Sequence, residues 1–182
     1  MSPKKIDDVA LVLRAVAFAA EKHRNQRRKD AEATPYINHP ISLANVLKHE
    51  GKINDTTVLA AAILHDTIED TKTSAEELCA IFGDEIRDLV LEVTDDKSLK
   101  KKERKRLQIE HAATASRKAK LIKLADKVCN LRDIAANPPE DWSRYRKQKY
   151  FKWAAEVVVG CRGTNAKLER QFDIAYEHVH DL

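Results

Sequence analysis

The stretch Ala60-Ala-Ala-Ile-Leu-His65-Asp66-Thr-Ile-Glu69-Asp70 limits what this chain can become more than any other. It is an apolar run that ends abruptly in four side chains able to hold a cation or move a proton. On a helix, positions four apart share a face, so His65 sits below Glu69 and Asp66 below Asp70. The expectation is two adjacent rows at one helix end. Adjacent His and Asp can share a cation only if other segments complete the shell. The candidates are His39, in Tyr36-Ile-Asn-His39-Pro40, and Asp126, in Lys123-Leu-Ala-Asp126-Lys-Val-Cys-Asn130-Leu-Arg132. Both stand beside apolar residues, where an unpaired polar group is costly. His39, His65, Asp66 and Asp126 together offer two imidazoles and two carboxylates. Such a mixed shell suits a borderline divalent ion, Mn²⁺, Fe²⁺, Co²⁺ or Zn²⁺, and does not choose among them.

The remainder reads as helical. Four glycines and five prolines in 182 residues argue against a turn-rich β fold. The content, 43% hydrophobic and 34% charged, is that of a globular protein, and the length fits one domain over residues 1–182. A net charge of +4 gives little field for nucleic acid, and the basic run from Lys97 to Arg106 lacks interleaved aromatics. The most apolar early stretch, Val9 to Ala20, is broken by Arg14 and too short to span a bilayer. No secretory segment follows Met1-Ser-Pro-Lys-Lys. Cys79, Cys129 and Cys161 form no CxxC pair and read as buried small residues in a reducing compartment. A soluble, cytoplasmic protein is expected.

Periodicity predicts a first helix from Ile6 to Arg24 with Val9, Val12, Leu13, Val16 and Ala20 as its apolar stripe. A short helix over Ile41 to His49 should end at Gly51. Asp55 is the expected N-cap of the helix that runs into His65-Asp66. Thr73-Ser-Ala-Glu76 has the spacing of a capping box and opens a helix to Phe82. Further helices are expected over Asp84–Val93, through the basic run to about His111, over Ala119–Ala135 around Asp126, and over Asp141–Val159. Thr164 or Asn165 caps the last. Asp126 alone could be a buried salt bridge to an Arg, and Asn130 alone a helix residue bonded to backbone. His23, His49, His111, His178 and His180 read as surface or core histidines.

The ordered set His39, His65-Asp66 and Asp126 resembles the metal ligands of the HD phosphohydrolase superfamily. Its surroundings are similar to the hydrolase domain of RelA/SpoT proteins. The matching residues are Arg28-Lys29 ahead of Pro35-Tyr36-Ile37-Asn38-His39-Pro40, then His65 to Asp70, Glu92-Val93-Thr94, Leu124-Ala125-Asp126-Lys127 and Asn130-Leu131-Arg132. The tract from Glu92 to Gln108, with Trp142, Tyr150-Phe151, Trp153-Ala154-Ala155 and Gly163-Thr164-Asn165, most resembles the stand-alone metazoan SpoT-homologue small alarmone hydrolases. That resemblance implies an all-α, single-domain HD-type helical bundle. It implies removal of the 3′-pyrophosphate from guanosine 3′,5′-bispyrophosphates, giving GDP or GTP and pyrophosphate, with one Mn²⁺ per chain. His39, His65, Asp66 and Asp126 would be the metal ligands. Glu69 and Asp70 would orient and deprotonate water or protonate the leaving oxygen. Arg28 and Lys29 would hold the base and sugar end, with Asn130 and Tyr150 in the same pocket and Lys101 and Arg146 on the distal phosphates. The partner is then a small-molecule nucleotide, not nucleic acid or a membrane, and assembly into a homo-oligomer is left open. Removal of the 2′-phosphate of NADPH is the second reading, and it or another HD-type nucleotide phosphatase would release orthophosphate instead.

Overall fold

A computed structural model describes residues 7–182. Among them the chain forms α1 (Asp8–Lys22), α2 (Asn38–Asn45), α3 (Thr56–Leu64), α4 (Thr67–Asp70), α5 (Ala75–Phe82), α6 (Asp84–Val93), α7 (Lys101–Thr114), α8 (Arg117–Ala136), α9 (Arg144–Val159) and α10 (Ala166–Glu177). A π-helical turn, Val46–Glu50, continues α2, and a 3-10 turn, His178–His180, follows α10. The β pairing among the described residues is one isolated antiparallel bridge between Arg27 and Pro35. None of the described helices is long and apolar enough to cross a membrane.

Helix α3 is the hub. Val58 through Leu64 are all buried, since a helix apolar on every side has no face to offer water. Helices α1, α2, α6 and α8 pack around it. Helix α8 is the second inner rod, burying Leu121, Ile122, Leu124, Ala125, Val128 and Leu131, and α9 and α10 cover it. Arg132 ties this rod to the π-helical turn through two bonds of 2.8 Å to Glu50. Asp55 caps α3 as expected, accepting from the Thr57 and Val58 amides at 3.0 and 3.4 Å. Ser116 does the same for α8, and Asn165, not Thr164, for α10.

Several boundaries differ from the expectations. The Ile6 start lies outside the described residues. On α1 the buried face is built from Ala15 and Ala19, while Val9 and Leu13 are 64% and 62% exposed. Small residues at four-residue spacing bring the α1 backbone close to α3, and this selects the alanine face over the bulkier stripe. Helix α2 starts at Asn38 rather than Ile41, placing His39 in its first turn. Pro40 sits there without loss because first-turn amides have no partner within the helix. Ser74 with Glu77, not Thr73 with Glu76, caps α5, and the Thr73 hydroxyl is taken by Thr71. Helix α9 begins at Arg144 under a Ser143 cap, so Trp142 precedes it. Cys129 and Cys161 are buried as expected, whereas Cys79 is half-buried with its thiol on Asp84.

Gly160 ends α9 against α7. A Cβ there would lie 2.7 Å from the Ala113 amide nitrogen and 2.8 Å from the Ala112 carbonyl carbon, both backbone atoms that cannot swing away. Gly160→Ala is therefore expected to destabilise the fold by about 1–3 kcal/mol, as overpacking does. The check is a lower urea midpoint at an unchanged slope.

Candidate metal centre and active site

The continuous helix expected through His65-Asp66 is broken there. Helix α3 stops at Leu64, Asp66 adopts φ −99° and ψ 1°, and the single turn α4 restarts at Thr67. Two side chains cause the break by taking carbonyls that α3 leaves open. His65 Nδ1 bonds the Ala62 carbonyl at 2.8 Å, and the Thr67 hydroxyl donates to Leu64 at 2.7 Å. A carbonyl only accepts, so His65 carries its proton on Nδ1 and directs Nε2 into the site.

Three elements meet at that nitrogen. His39 arrives from the first turn of α2, His65 from the α3–α4 break and Asp126 from the middle of α8. One ligand atom from each lies within 4.8 Å of the others. His39 Nε2 stands 3.2 Å from Asp126 Oδ1. Asp66 joins from the side, its Oδ2 2.8 Å from His65 Nε2 and accepting from the Tyr36 hydroxyl. Both imidazoles are buried. Burial disfavours charge on all these groups, and mutual attraction overcomes it. The Asp66 and Asp126 carboxylates push His65 up to about 9. His65, His39 and Tyr36 hold Asp66 below the usual carboxylate range, and Lys127 and His39 hold Asp126 well below it. Two imidazoles and the Asp126 carboxylate converging in a buried space, with the Asp66 carboxylate beside His65, are a donor set that fits a divalent cation. Asp126 is braced on both sides, by Lys127 Nζ at 2.8 Å and Asn130 Nδ2 at 2.7 Å. Its salt-bridge partner is thus a lysine rather than an arginine, and Asn130 bonds a side chain rather than backbone.

Glu69 and Asp70 diverge. Glu69 lines a small cavity of about 70 Å³ together with His65, Asp66, Asp95, Asp126 and Lys127. It accepts from the Asp95 amide at 3.2 Å and from Arg104 at 3.4 Å. Burial, then the charge of Asp66, pushes its carboxyl up to about 7. Asp70 faces a cavity of about 500 Å³ on the other side of the cluster. One of its oxygens accepts from Gln26 at 2.8 Å and the other from Lys97.

Arg28, Lys29, Asn130 and Tyr150 line the large cavity with His39, as the sequence suggested. Arg28 is held 2.6 Å from Asp133. Burial pushes the Tyr150 hydroxyl up to about 12, so it stays protonated. Lys101 and Arg146 are not brought into the cavity lining. Lys101 is exposed at the start of α7, and Arg146 bonds Asp141 at 3.1 Å while lying over the ring of Trp142, itself a lining residue. Sequence reasoning missed Gln26, Tyr36, Asp95, Lys97, Arg104 and Asp133. Tyr36, inside the His39 motif, and Asp95, Lys97 and Arg104, inside the Glu92–Gln108 tract, lay in segments that carried the resemblance; Gln26 and Asp133 lay just beside the matched residues and carried no signal of their own.

A family model described as HD domain matches residues 15–154, which defines the class: an HD domain, a helical bundle around a histidine–carboxylate centre. The chain is 61% identical over 166 residues to the Xenopus tropicalis guanosine-3′,5′-bis(diphosphate) 3′-pyrophosphohydrolase MESH1, covering 91% of this chain and 93% of that one. It is 59% identical over 162 residues to the Homo sapiens protein of the same name, covering 89% and 90%. A solved structure described as "A metazoan ortholog of SpoT hydrolyzes ppGpp and plays a role in starvation responses" superposes with a TM-score of 0.91 at 49% identity, covering 100% of this chain and 99% of that one. The chain belongs to the MESH1 group of HD domain proteins.

Proposed function

We propose that this chain is a guanosine 3′,5′-bispyrophosphate 3′-pyrophosphohydrolase, with one Mn²⁺ held by His39, His65, Asp66 and Asp126. The observation that supports it most is the cavity of about 500 Å³ that opens on His39 and Asp70 and is lined by Arg28, Lys29, Asn130 and Tyr150. That is the size and polarity of a nucleotide pocket set against a hydrolytic centre. A divalent cation in the cluster supplies Lewis acidity and acidifies water. Glu69, which lines the small cavity together with His65, Asp66 and Asp126, takes the proton of the attacking water. The bond between phosphorus and the ribose 3′-oxygen breaks, and the proton on Glu69 is available to that leaving oxygen. Asp70, which accepts from Gln26 on one oxygen and from Lys97 on the other, orients the reacting groups. Arg28 and Lys29 hold the nucleoside end, Asn130 and Tyr150 line its pocket, and Arg146, lying over the lining residue Trp142, is the cation nearest the rim for the distal phosphates.

The test is to strip the purified protein of metal, reload it with each divalent ion, and identify the group released from guanosine bispyrophosphates, NADPH and nucleoside monophosphates. Pyrophosphate from the guanosine compounds, fastest with Mn²⁺, is expected. Orthophosphate from NADPH alone would assign a 2′-phosphatase instead, and no release with any ion would defeat both.

A further inference from the structure

His23 is 2% exposed, lies outside the ligand cluster and has no part in the mechanism above. Its Nδ1 is 2.7 Å from Gln26 Oε1. The other end of the same amide, Nε2, is 2.8 Å from Asp70 Oδ2. The orientations follow from donor and acceptor chemistry. An ionised carboxylate only accepts, so Gln26 must turn its NH₂ to Asp70. Its carbonyl oxygen then faces His23, which must carry its proton on Nδ1. The second ring nitrogen, Nε2, is buried without a partner, so nothing on that side competes for the proton. The imidazole also packs on Tyr36, ring centroids 4.9 Å apart, and the Tyr36 hydroxyl donates to Asp66. One buried ring thus backs both carboxylates that face the large cavity and the ligand cluster.

We propose that His23 and Gln26 form a polarised relay whose task is to position Asp70. His23 fixes which end of the Gln26 amide points forward, and Gln26 with Lys97 fixes the Asp70 carboxylate. Without His23 the amide could rotate and present its oxygen to Asp70, replacing an attraction with a repulsion. His23 and Gln26 are positioning residues that act on the reaction through Asp70, and Gln26 also lines the large cavity. The relay rests on the proposed function for its catalytic consequence but not for its geometry.

Gln26→Glu provides the test, because it keeps the shape and exchanges the forward donor for a titratable oxygen. Ionised, the new carboxylate opposes Asp70; protonated, it donates and restores the bond. The variant is expected to lose about 10–100-fold in kcat, the usual cost of losing a residue behind a reacting group. KM is expected to rise as well, because Gln26 lines the large cavity and the new charge repels an anionic nucleotide, so kcat at saturating substrate carries the test. The ratio of wild-type to variant kcat should narrow as pH falls. An unchanged kcat, a ratio independent of pH, or a defect confined to KM would overturn the relay. A separate measurement does not use turnover: ¹⁵N chemical shifts of the His23 ring should show the Nδ1–H tautomer, and an Nε2–H tautomer would overturn the relay by itself. Wild-type protein without turnover would defeat the proposed function, and the tautomer would then decide the relay alone.

Discussion

Glu69→Gln is expected to lower kcat by about 10²–10⁴-fold, the range that general acid–base catalysis contributes. The substitution is close to isosteric. Glu69 accepts from the Asp95 amide on one oxygen and from Arg104 on the other, so the variant keeps the shorter bond to Asp95 through its single oxygen and gives up the 3.4 Å contact to Arg104. What is lost is the ability to gain and release a proton near neutrality. Burial and the surrounding carboxylates push the Glu69 carboxyl from its ordinary value of 4.5 up to about 7. The folded protein therefore binds a proton between those values that the unfolded chain has already released. Stability contributed by that group is present below 4.5 and lost as pH rises through 7, a change on the order of 3 kcal/mol. Above pH 7 the variant no longer buries this charge, so it should melt at the same temperature as the parent or higher while turning over far more slowly. Metal content by elemental analysis should be unchanged. A kcat within tenfold of the parent, at full metal loading, would remove Glu69 from the proton-transfer role.

The ligand cluster was legible in the sequence because its members are chemically out of place. Asp126 lies mid-helix among Leu124, Ala125 and Val128, and His65 ends a run with no other polar residue for several positions. Charge amid apolar neighbours is a signal that survives without coordinates. The large-cavity residues Arg28, Lys29, Asn130 and Tyr150 came from resemblance, since a basic pair or a lone tyrosine has many bland roles. The divergence of Glu69 and Asp70 could not be read at all. It depends on Asp66 leaving helical geometry, which in turn depends on the His65 and Thr67 side chains taking α3 carbonyls. Periodicity sees spacing, not which backbone groups a side chain will claim. For the same reason Asp95, Lys97 and Arg104 were missed. They bond carboxylates 26 to 35 positions earlier in the chain, and only the packing of α6 and α7 brings them there.

Cation binding is expected to release protons in a pH-dependent number. In the metal-free protein His65 is pushed up to about 9 by the carboxylates of Asp66 and Asp126, above its ordinary 6.5. Its stabilising contribution is complete below 6.5 and disappears as pH rises through 9. A cation coordinated through Nε2 requires the neutral ring, with Nδ1–H kept on the Ala62 carbonyl. The same positive charge favours the ionised form of Glu69, which in the metal-free protein titrates near 7. Below pH 7 both groups must give up a proton on binding; between 7 and 9 only His65 must; above 9 neither does. Each proton displaced makes affinity rise about tenfold per pH unit. The affinity for Mn²⁺ should therefore climb about a hundredfold per unit below 7, about tenfold per unit up to 9, and then level off. Calorimetric titrations in buffers of different ionisation enthalpy count the protons directly. Thermal melts give the same ordering, since a ligand that binds only the folded chain raises its stability by an amount set by concentration over Kd. The metal-free protein should weaken from pH 6.5 to 9 while the loaded protein holds, so the gap between their melting temperatures widens with pH. No proton released at pH 8 would show that His65 Nε2 is not where the cation binds, and a count of one at both pH 6 and pH 8 would show that Glu69 keeps its proton in the loaded protein.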